Sequence, residues 1–215
     1  NWEIIATARR QAGDIEGAMA EFKQALALDP ENVNVYNSLG VCYGVREQFD
    51  QALDCFEKAA RLDPAEAMAL YNAGYVHLCR GELEKALGCF EQAGEISGPV
   101  FEVAFQTGRV HMEAGRPEKA VKYLEAAVAL NDKSAAAYRY LADTCLKLDR
   151  DADAATAYKT ALKLRPDDAE ALSALGYLYE MQGKNADIAL MFCQRAAEMM
   201  PENGLFRHRL GRIYY

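Results

Sequence analysis

The sequence predicts an all-α fold, an α-solenoid of stacked helix-turn-helix repeats of 34 residues, and two recurring strings support this prediction. The first string is an Ala, usually a Phe or Tyr four residues later, and a second Ala three residues after that. Its first Ala stands at positions 18, 52, 86, 120 and 154, and a sixth copy begins one residue late, at Ala189. The spacings of four and three place each string on one face of a helix.

The second string precedes the first and combines a bulky residue, an intermediate one and a very small one on the face of another helix. Its copies are Tyr36-Leu39-Gly40-Tyr43, Leu70-Ala73-Gly74-His77, Ala104-Thr107-Gly108-His111, Tyr138-Leu141-Ala142-Cys145 and Leu172-Leu175-Gly176-Tyr179. Chain breakers such as "RGEL" and "AGRP" separate the two strings. Each repeat is therefore predicted to be a helix A, a tight turn and a helix B.

Prolines after the second helix mark the predicted ends of the repeats, because proline disfavours helix at the residue before it. We expect one array over 1–215, with repeats near 1–30, 31–64, 65–98, 99–132, 133–166 and 167–201 and a partial seventh at 202–215. The predicted A helices lie near 1–12, 33–46, 67–80, 101–114, 135–148, 169–182 and 204–215, and the B helices near 16–28, 49–62, 83–96, 117–130, 151–164 and 186–199. The late sixth copy predicts an extra residue in the turn "GKNAD" at 183–187.

The small residues predict close contacts between helices. A glycine inside a helix costs about 1 kcal/mol relative to alanine, so its recurrence at one register needs a packing reason. Gly40 and Gly74 mark this register on A helices, and Ala52 and Ala86 mark the corresponding one on B helices. One repeat cannot bury both of its faces, whereas stacked repeats bury a continuous core.

The composition excludes some classes of protein. The net charge is −8 and the longest basic runs are dipeptides, so the chain lacks the basic surface of a nucleic-acid-binding protein. No apolar run approaches the roughly 20 residues of a membrane span, so no direct membrane insertion is expected. The six cysteines contain no CxxC pair and are interpreted as apolar core residues in a reducing, cytoplasmic compartment. The chain begins without Met, and we expect it to be a piece of a longer protein.

The two strings resemble the tetratricopeptide repeat, in which W/Y-x-x-L-G-x-x-Y is followed by A-x-x-x-F-x-x-A and then by proline within 34 residues. The resemblance covers six repeats and the first helix of a seventh, and Glu47 departs from it by replacing the usual turn glycine. The alanine-rich style with Asp-Pro punctuation suggests a bacterial source. The resemblance implies a right-handed superhelix whose A helices line a concave groove.

The same resemblance implies that ligand-facing positions lie on the A helices. The candidate peptide-binding residues are Tyr71, Asn72, Tyr75, Phe105, Arg109, Arg139, Tyr140 and Tyr177. Aromatic residues and arginine contribute much of the binding energy of protein interfaces. The alternative interpretation is that some of these tyrosines pack between repeats and that the charges form a solvated face. Neither the carboxylate clamp of chaperone-binding arrays nor the asparagine ladder of sugar-transferase arrays is present.

The sequence contains no pattern that indicates catalysis, a metal site or a cofactor. It has no glycine-rich phosphate loop, HExxH or GxSxG. His77 and His111 occupy the packing register of Tyr43 and are interpreted as structural residues. We therefore expect no enzyme and no bound cofactor.

The predicted function is a scaffold that binds a peptide or protein segment in the concave groove of the A helices. The alternative is a regulatory or substrate-presenting arm of a larger enzyme or signalling protein. Self-association through the apolar C-terminal helix at 204–215 is a further possibility, because a solenoid end needs a polar cap.

Overall fold

The computed structural model describes residues 2–183 and 185–214, without the side chains of Trp2, Ile4, Ile5 and Ala8. In these ranges the chain forms thirteen α-helices joined by short connections. The helices are α1 (Trp2–Gln11), α2 (Ile15–Leu28), α3 (Val33–Val45), α4 (Phe49–Leu62), α5 (Ala67–Cys79), α6 (Leu83–Ser97), α7 (Phe101–Glu113), α8 (Pro117–Leu130), α9 (Ala135–Lys147), α10 (Asp151–Leu164), α11 (Ala169–Met181), α12 (Ala186–Met199) and α13 (Gly204–Tyr214).

The predicted fold class is confirmed, since every predicted helix is present and its described ends agree within one residue; the predicted end residues 1 and 215 lie outside the described residues. Odd-numbered helices are the A helices and even-numbered helices the B helices, and consecutive helices pack against each other in pairs. Helix α6 runs one residue further than predicted, to Ser97, where Gly98 ends it with a φ of 73°. No helix in the described ranges is long and apolar enough to span a bilayer.

Each turn from an A helix to a B helix contains at least one residue in the left-handed backbone region. In four of the six turns this residue is a glycine, at 13, 81, 115 and 183. Glu47 and Asp149 take the position in the other two turns, with φ of 57° and 56°. A side-chain-bearing residue pays about 1 kcal/mol or more in this region, so these two turns are strained.

The turn before α12 contains the extra residue that the sequence predicts. Three residues separate the helices of the preceding pairs, whereas four separate Met181 from Ala186. Asn185 is left-handed in addition to Gly183, with φ of 52° and 62° respectively. The insertion therefore lies in the connection and leaves both helices intact.

The small residues of the A helices are positions of close contact with the large residues of the B helices. A Cβ atom added to Gly40 would lie 2.5 Å from Cε1 of Phe56, and one added to Gly74 would lie 2.8 Å from Phe90. Phe22, Phe56 and Phe90 are buried at successive copies of one register. This packing is the physical reason for the glycines that recur in the sequence.

Contacts divide the chain into two compact units, Asn1–Val110 and His111–Tyr215, and the division falls within α7. We call them the N-terminal and the C-terminal unit. The core of the N-terminal unit is built around the three phenylalanines of the B helices. That of the C-terminal unit is built around Tyr158, Leu175 and the alanines that surround them.

The six cysteines are all free thiols, and four of them are buried. Burial raises the pKa of Cys55 and of Cys193 to about 11, and it also raises the pKa of Cys42, Cys89 and Cys145. Cys79 alone is exposed. The buried thiols serve as small core residues, as the sequence predicts.

Candidate functional site

An apolar pocket of about 210 Å³ opens between α3, α4 and α5 in the N-terminal unit. The absence of side chains at Gly40 and Gly44 helps to create it. Its walls are mainly aliphatic and aromatic, and the residues that line it are Gly40, Val41, Gly44, Val45, Phe49, Phe56, Asn72, Tyr75, Val76 and Cys79. We call this cavity the N-terminal pocket.

The rim of the N-terminal pocket combines an exposed aromatic ring with the amide of Asn72, and a second amide, that of Asn37, lies nearby on α3. Tyr75 is 48% exposed although it lines an apolar cavity. Asn72 lies three residues before Tyr75 and therefore on the same face of α5. Asn37 lies one helical turn before Val41 on α3 and is only 8% exposed. Its Oδ1 atom is buried and accepts no hydrogen bond. A buried acceptor without a donor costs about 1–3 kcal/mol, so this group would gain from a donor supplied by a ligand.

Three of the predicted residues, Tyr71, Phe105 and Arg109, form a connected group with Gln106 on α5 and α7. Tyr71 packs its ring 5.6 Å from that of Phe90, and burial raises its pKa while a hydrogen bond with Gln106 opposes that rise. Arg109 donates to Oε1 of Gln106 at 2.9 Å and lies 5.8 Å from the centre of the Phe105 ring. The amide of Gln106 thus connects the predicted residues Tyr71 and Arg109.

In the C-terminal unit Arg139 is surrounded by carboxylates. Its guanidinium lies 2.7 Å from Glu170 and 3.5 Å from both Asp143 and Asp168, and it covers the ring of Tyr140 at 4.8 Å. The side chain is only 19% exposed. A ligand carboxylate would therefore have to displace these partners in order to bind Arg139.

Asp143 accepts a second hydrogen bond, from the B helix of its own repeat. The hydroxyl of Tyr158, on α10, donates to its Oδ1 atom. Burial raises the pKa of Asp143, and the Tyr158 hydroxyl and the Arg139 charge oppose that rise. Asp143 is therefore a structural link between two helices as well as a polar residue of the A-helix surface.

Tyr177 lies between two arginines of α13. The guanidinium carbons of Arg209 and Arg212 are each 5.1 Å from the centre of its ring. Arg212 donates to the Tyr177 hydroxyl at 2.9 Å, and Arg209 donates to Oγ of Ser173 at 3.1 Å. Cation–π contacts of this kind contribute about 0.5–1 kcal/mol at exposed sites and more when desolvated.

Sequence reasoning missed these two arginines, although a signal was present. Arg212 follows Tyr177 by 35 residues, which is the spacing between Ala154 and Ala189. Extending that one-residue shift into the seventh repeat would have placed Arg209 and Arg212 on the ligand-facing register of α13.

The predicted site residues thus have different surroundings. Asn72 and Tyr75 line a pocket, and Phe105 and Arg109, both on α7, stack against each other. Tyr71 packs partly into the core, which is the alternative interpretation given above for some of the tyrosines. Arg139, Tyr140 and Tyr177 belong to polar and cation–π clusters of the C-terminal unit.

The two predicted structural histidines have protein partners. Nδ1 of His77 lies 2.7 Å from Oε2 of Glu82, and the buried ring of His111 stacks on that of Tyr123 at 5.4 Å. In the described ranges no three His, Cys, Asp or Glu side chains come together as metal ligands would. The groups that do converge, namely amides, aromatic rings and guanidinium ions, are suited to non-covalent binding.

The apolar residues of α13 are only partly packed. Phe206 is buried, whereas Leu205 is 53% and Tyr214 60% exposed. Oη of Tyr214 accepts a hydrogen bond from Nε2 of Gln194 at 2.6 Å. Self-association through 204–215 stays a prediction, which sedimentation over a range of concentrations would test.

The paired helices, the small-residue contacts and the polar A-helix surfaces define a helical repeat protein of the interaction class. Tetratricopeptide repeat models match residues 33–65 and 105–158, and a further TPR repeat model matches 6–44 and 142–183. The chain belongs to the tetratricopeptide repeat family, as its sequence resemblance predicts. Repeat proteins of this family are typically scaffolds without catalytic activity.

Known structures of the family share this fold. PilF from Pseudomonas aeruginosa is 20% identical with a TM-score of 0.88, and the match covers 98% of this chain and 96% of that one. YrrB, described as a TPR protein with an unusual peptide-binding site, is 23% identical with a TM-score of 0.76, covering 87% and 96%. A chain in the structure of the Cut9–Hcn1 hetero-tetramer is 18% identical with a TM-score of 0.77, and the match covers all of this chain and 42% of that one. No curated protein sequence matches the chain.

Proposed function

We propose that the chain binds an extended peptide segment of a partner protein along its A helices, with an apolar side chain of that segment in the N-terminal pocket. The observation that carries this proposal is the pocket itself. It is apolar, opens beside the A helices, and has a half-exposed tyrosine at its rim. Tyrosine at the edge of a desolvated pocket is typical of residues that dominate binding energy.

Amide side chains beside the pocket suit the backbone of a peptide. An asparagine offers a carbonyl acceptor and two N–H donors, and can therefore pair with both groups of a peptide bond. Asn72 lines the pocket, and the buried Oδ1 of Asn37 is an acceptor without a donor. A peptide N–H that reached Asn37 would remove the cost of that unmade hydrogen bond.

The remaining predicted residues extend the proposed site beyond the pocket. Phe105 and Arg109 offer a stacked ring and cation in the N-terminal unit. Arg139, Tyr140 and Tyr177 offer mixed charges and rings in the C-terminal unit, where the arginine is already paired with carboxylates. We propose that these residues contribute to selectivity, and that the N-terminal pocket contributes most of the affinity.

The similar structures support the proposal at the level of the fold. YrrB has a peptide-binding site, and Cut9 is part of a hetero-tetramer with Hcn1. Their identities of 23% and 18% give no residue correspondence, so the proposal depends on the pocket and its rim.

The test combines capture from the native cell lysate with a matched pair of variants. Tyr75→Ala removes the aromatic rim, and Leu28→Ala removes an apolar side chain that is 74% exposed at the end of α2, away from the pocket. The segment of a captured protein that the chain protects from protease is then synthesised and titrated. We expect Tyr75→Ala to weaken its binding about tenfold or more, and Leu28→Ala to leave it unchanged.

A second variant tests the outer part of the proposed site. Phe105→Glu replaces the stacked ring by a carboxylate, and Arg109→Glu reverses the charge beside it. We expect the double variant to bind the segment more weakly and to keep its helicity. A segment that binds Tyr75→Ala as tightly as the natural chain would overturn the assignment to the N-terminal pocket.

A further inference from the structure

A second cleft lies in the C-terminal unit, on the side of the repeats where α10 and α12 flank α11. It has a volume of about 390 Å³, within the range of roughly 300–1,000 Å³ that is typical of ligand sites. Its floor is apolar and includes Leu172, Leu175 and Phe192. We call it the B-helix cleft, because two B helices form its walls.

Three cations surround the apolar floor. Lys159 and Lys163 belong to α10, and Arg195 belongs to α12. All three are exposed, and no carboxylate of the described residues lines the cleft. The local charge is therefore opposite in sign to the net charge of −8 of the chain.

These three cations form no ion pair with a carboxylate of the described residues. Nζ of Lys159 lies 5.6 Å from the centre of the Tyr179 ring. Within the described part of the chain, neither Lys163 nor Arg195 has a carboxylate within ion-pair distance. By contrast, Arg139 pairs with Glu170 at 2.7 Å and Arg212 pairs with Glu180 at 3.4 Å.

The corresponding cleft of the N-terminal unit has the opposite charge at the register of Lys159. Glu57 lies 102 residues before Lys159, which is three repeats, and it lines the corresponding cleft between α4, α5 and α6. That cleft is smaller, about 260 Å³, and has Cys89 in place of the phenylalanine. Glu57 also pairs with Arg61 at 3.4 Å. The repeat fold itself therefore does not require a basic cleft at this position.

We infer that the B-helix cleft binds an acidic peptide segment of a partner protein, in which carboxylates flank a large apolar side chain. The apolar side chain would contact Leu172, Leu175 and Phe192, and the carboxylates would pair with Lys159, Lys163 and Arg195. Charge complementarity of this kind directs both the choice of partner and its rate of association. This inference is independent of the site proposed above, because it uses different residues of a different unit.

The probe is a fluorescent synthetic peptide with a central Leu-Phe pair between runs of glutamate, titrated by fluorescence anisotropy. Two control peptides replace the Leu-Phe pair by Ala-Ala or the glutamates by lysine. We expect the acidic apolar peptide to bind, and both controls to bind at least about tenfold more weakly, since each lacks one of the two complementary features.

Matched variants locate the binding. Lys159→Glu with Lys163→Glu reverses two charges at the cleft, and Lys119→Glu with Lys122→Glu makes the same change at exposed positions of α8. We expect the first pair to weaken binding about tenfold or more and the second to change it less than about threefold. Circular dichroism confirms that both double variants are folded. Tyr75→Ala, which tests the other site, should leave this binding unchanged.

Several results would overturn the inference. These are no binding of the acidic apolar peptide, equal binding of the Ala-Ala peptide, or equal losses in the two double variants, which would indicate attraction by overall charge. Binding to vesicles that contain phosphatidylserine, without binding to the peptide, would overturn it in favour of a membrane surface.

Discussion

The hydroxyl group of Tyr158 donates a hydrogen bond to Oδ1 of Asp143, and this bond joins the packing register of a B helix to a polar position of its A helix. Three other repeats have a phenylalanine at this register, at 22, 56 and 90. Tyrosine at this position therefore has a role that packing alone does not explain, because its hydroxyl satisfies a partly buried carboxylate.

Replacing Tyr158 by Phe should lower the free energy of unfolding by about 1 kcal/mol, because the partly buried Asp143 loses a hydrogen-bond donor. Urea denaturation measures the change. In a double-mutant cycle, Tyr158→Phe and Asp143→Ala should be strongly non-additive. Additive losses would show that the two side chains act separately.

The stability difference between the natural chain and Asp143→Asn should depend on pH. Burial raises the pKa of Asp143, so the folded state keeps this proton to a higher pH than the unfolded state. Its stabilising contribution is complete below the unfolded pKa and is lost as the pH rises through the folded one. Asparagine does not titrate, so the stability of Asp143→Asn relative to the natural chain should rise as the pH increases above about 4, the pKa of an unfolded aspartate. A constant difference across this range would contradict the raised pKa.

Two glycines of α3 should respond in opposite ways to alanine. Gly40→Ala places a methyl group 2.5 Å from the ring of Phe56, and should lower the free energy of unfolding by about 1–3 kcal/mol. Gly44→Ala meets its nearest neighbour, Val76, at 4.0 Å and should raise stability by about 0.5–1 kcal/mol through helix propensity. Thermal denaturation compares the two, and equal effects would refute the packing reason given for Gly40.

The turn at Glu47 should become more stable with glycine. Its φ of 57° is strained for glutamate, so Glu47→Gly should raise the free energy of unfolding by about 1 kcal/mol. Gly81→Ala is the reciprocal control, because Gly81 has a φ of 73° and open space for a methyl group. It should lower stability by a similar amount, since only backbone strain is added.

Cys79 should react with a thiol reagent before the other cysteines. It is the exposed one, while burial raises the pKa of Cys55 and Cys193 to about 11 and leaves few thiolates near neutral pH. A coloured disulfide reagent should show one fast thiol in the folded protein, and Cys79→Ser should remove that phase. Because Cys79 lines the N-terminal pocket, a fluorophore at this position would also report a bound peptide.

The helices could be predicted closely from the sequence, because two independent strings repeat at one spacing and the prolines mark where repeats end. The register was fixed by packing chemistry, since only a small residue fits where the ring of Phe56 approaches α3. The inserted residue was detectable for the same reason, as a one-residue shift at Ala189.

The surroundings of the candidate site residues were less predictable. The resemblance identifies which positions of an A helix face a ligand, but not which neighbours engage them. Arg139 illustrates this limit, because its three carboxylate partners lie on its own helix, on the next A helix and at the residue before that helix. The B-helix cleft could not be found from the motif, because its cations occupy variable surface positions of the repeat.

Within each unit the helices pack mainly against their immediate neighbours along the chain. Opening one hairpin therefore breaks only the interfaces that adjoin it, so unfolding in such an array proceeds by partial, local steps. Amide hydrogen exchange should reveal these steps as separate rates for successive hairpins. A peptide in the N-terminal pocket would slow amide exchange most in α3, α4 and α5, so the exchange pattern would locate the bound ligand along the chain.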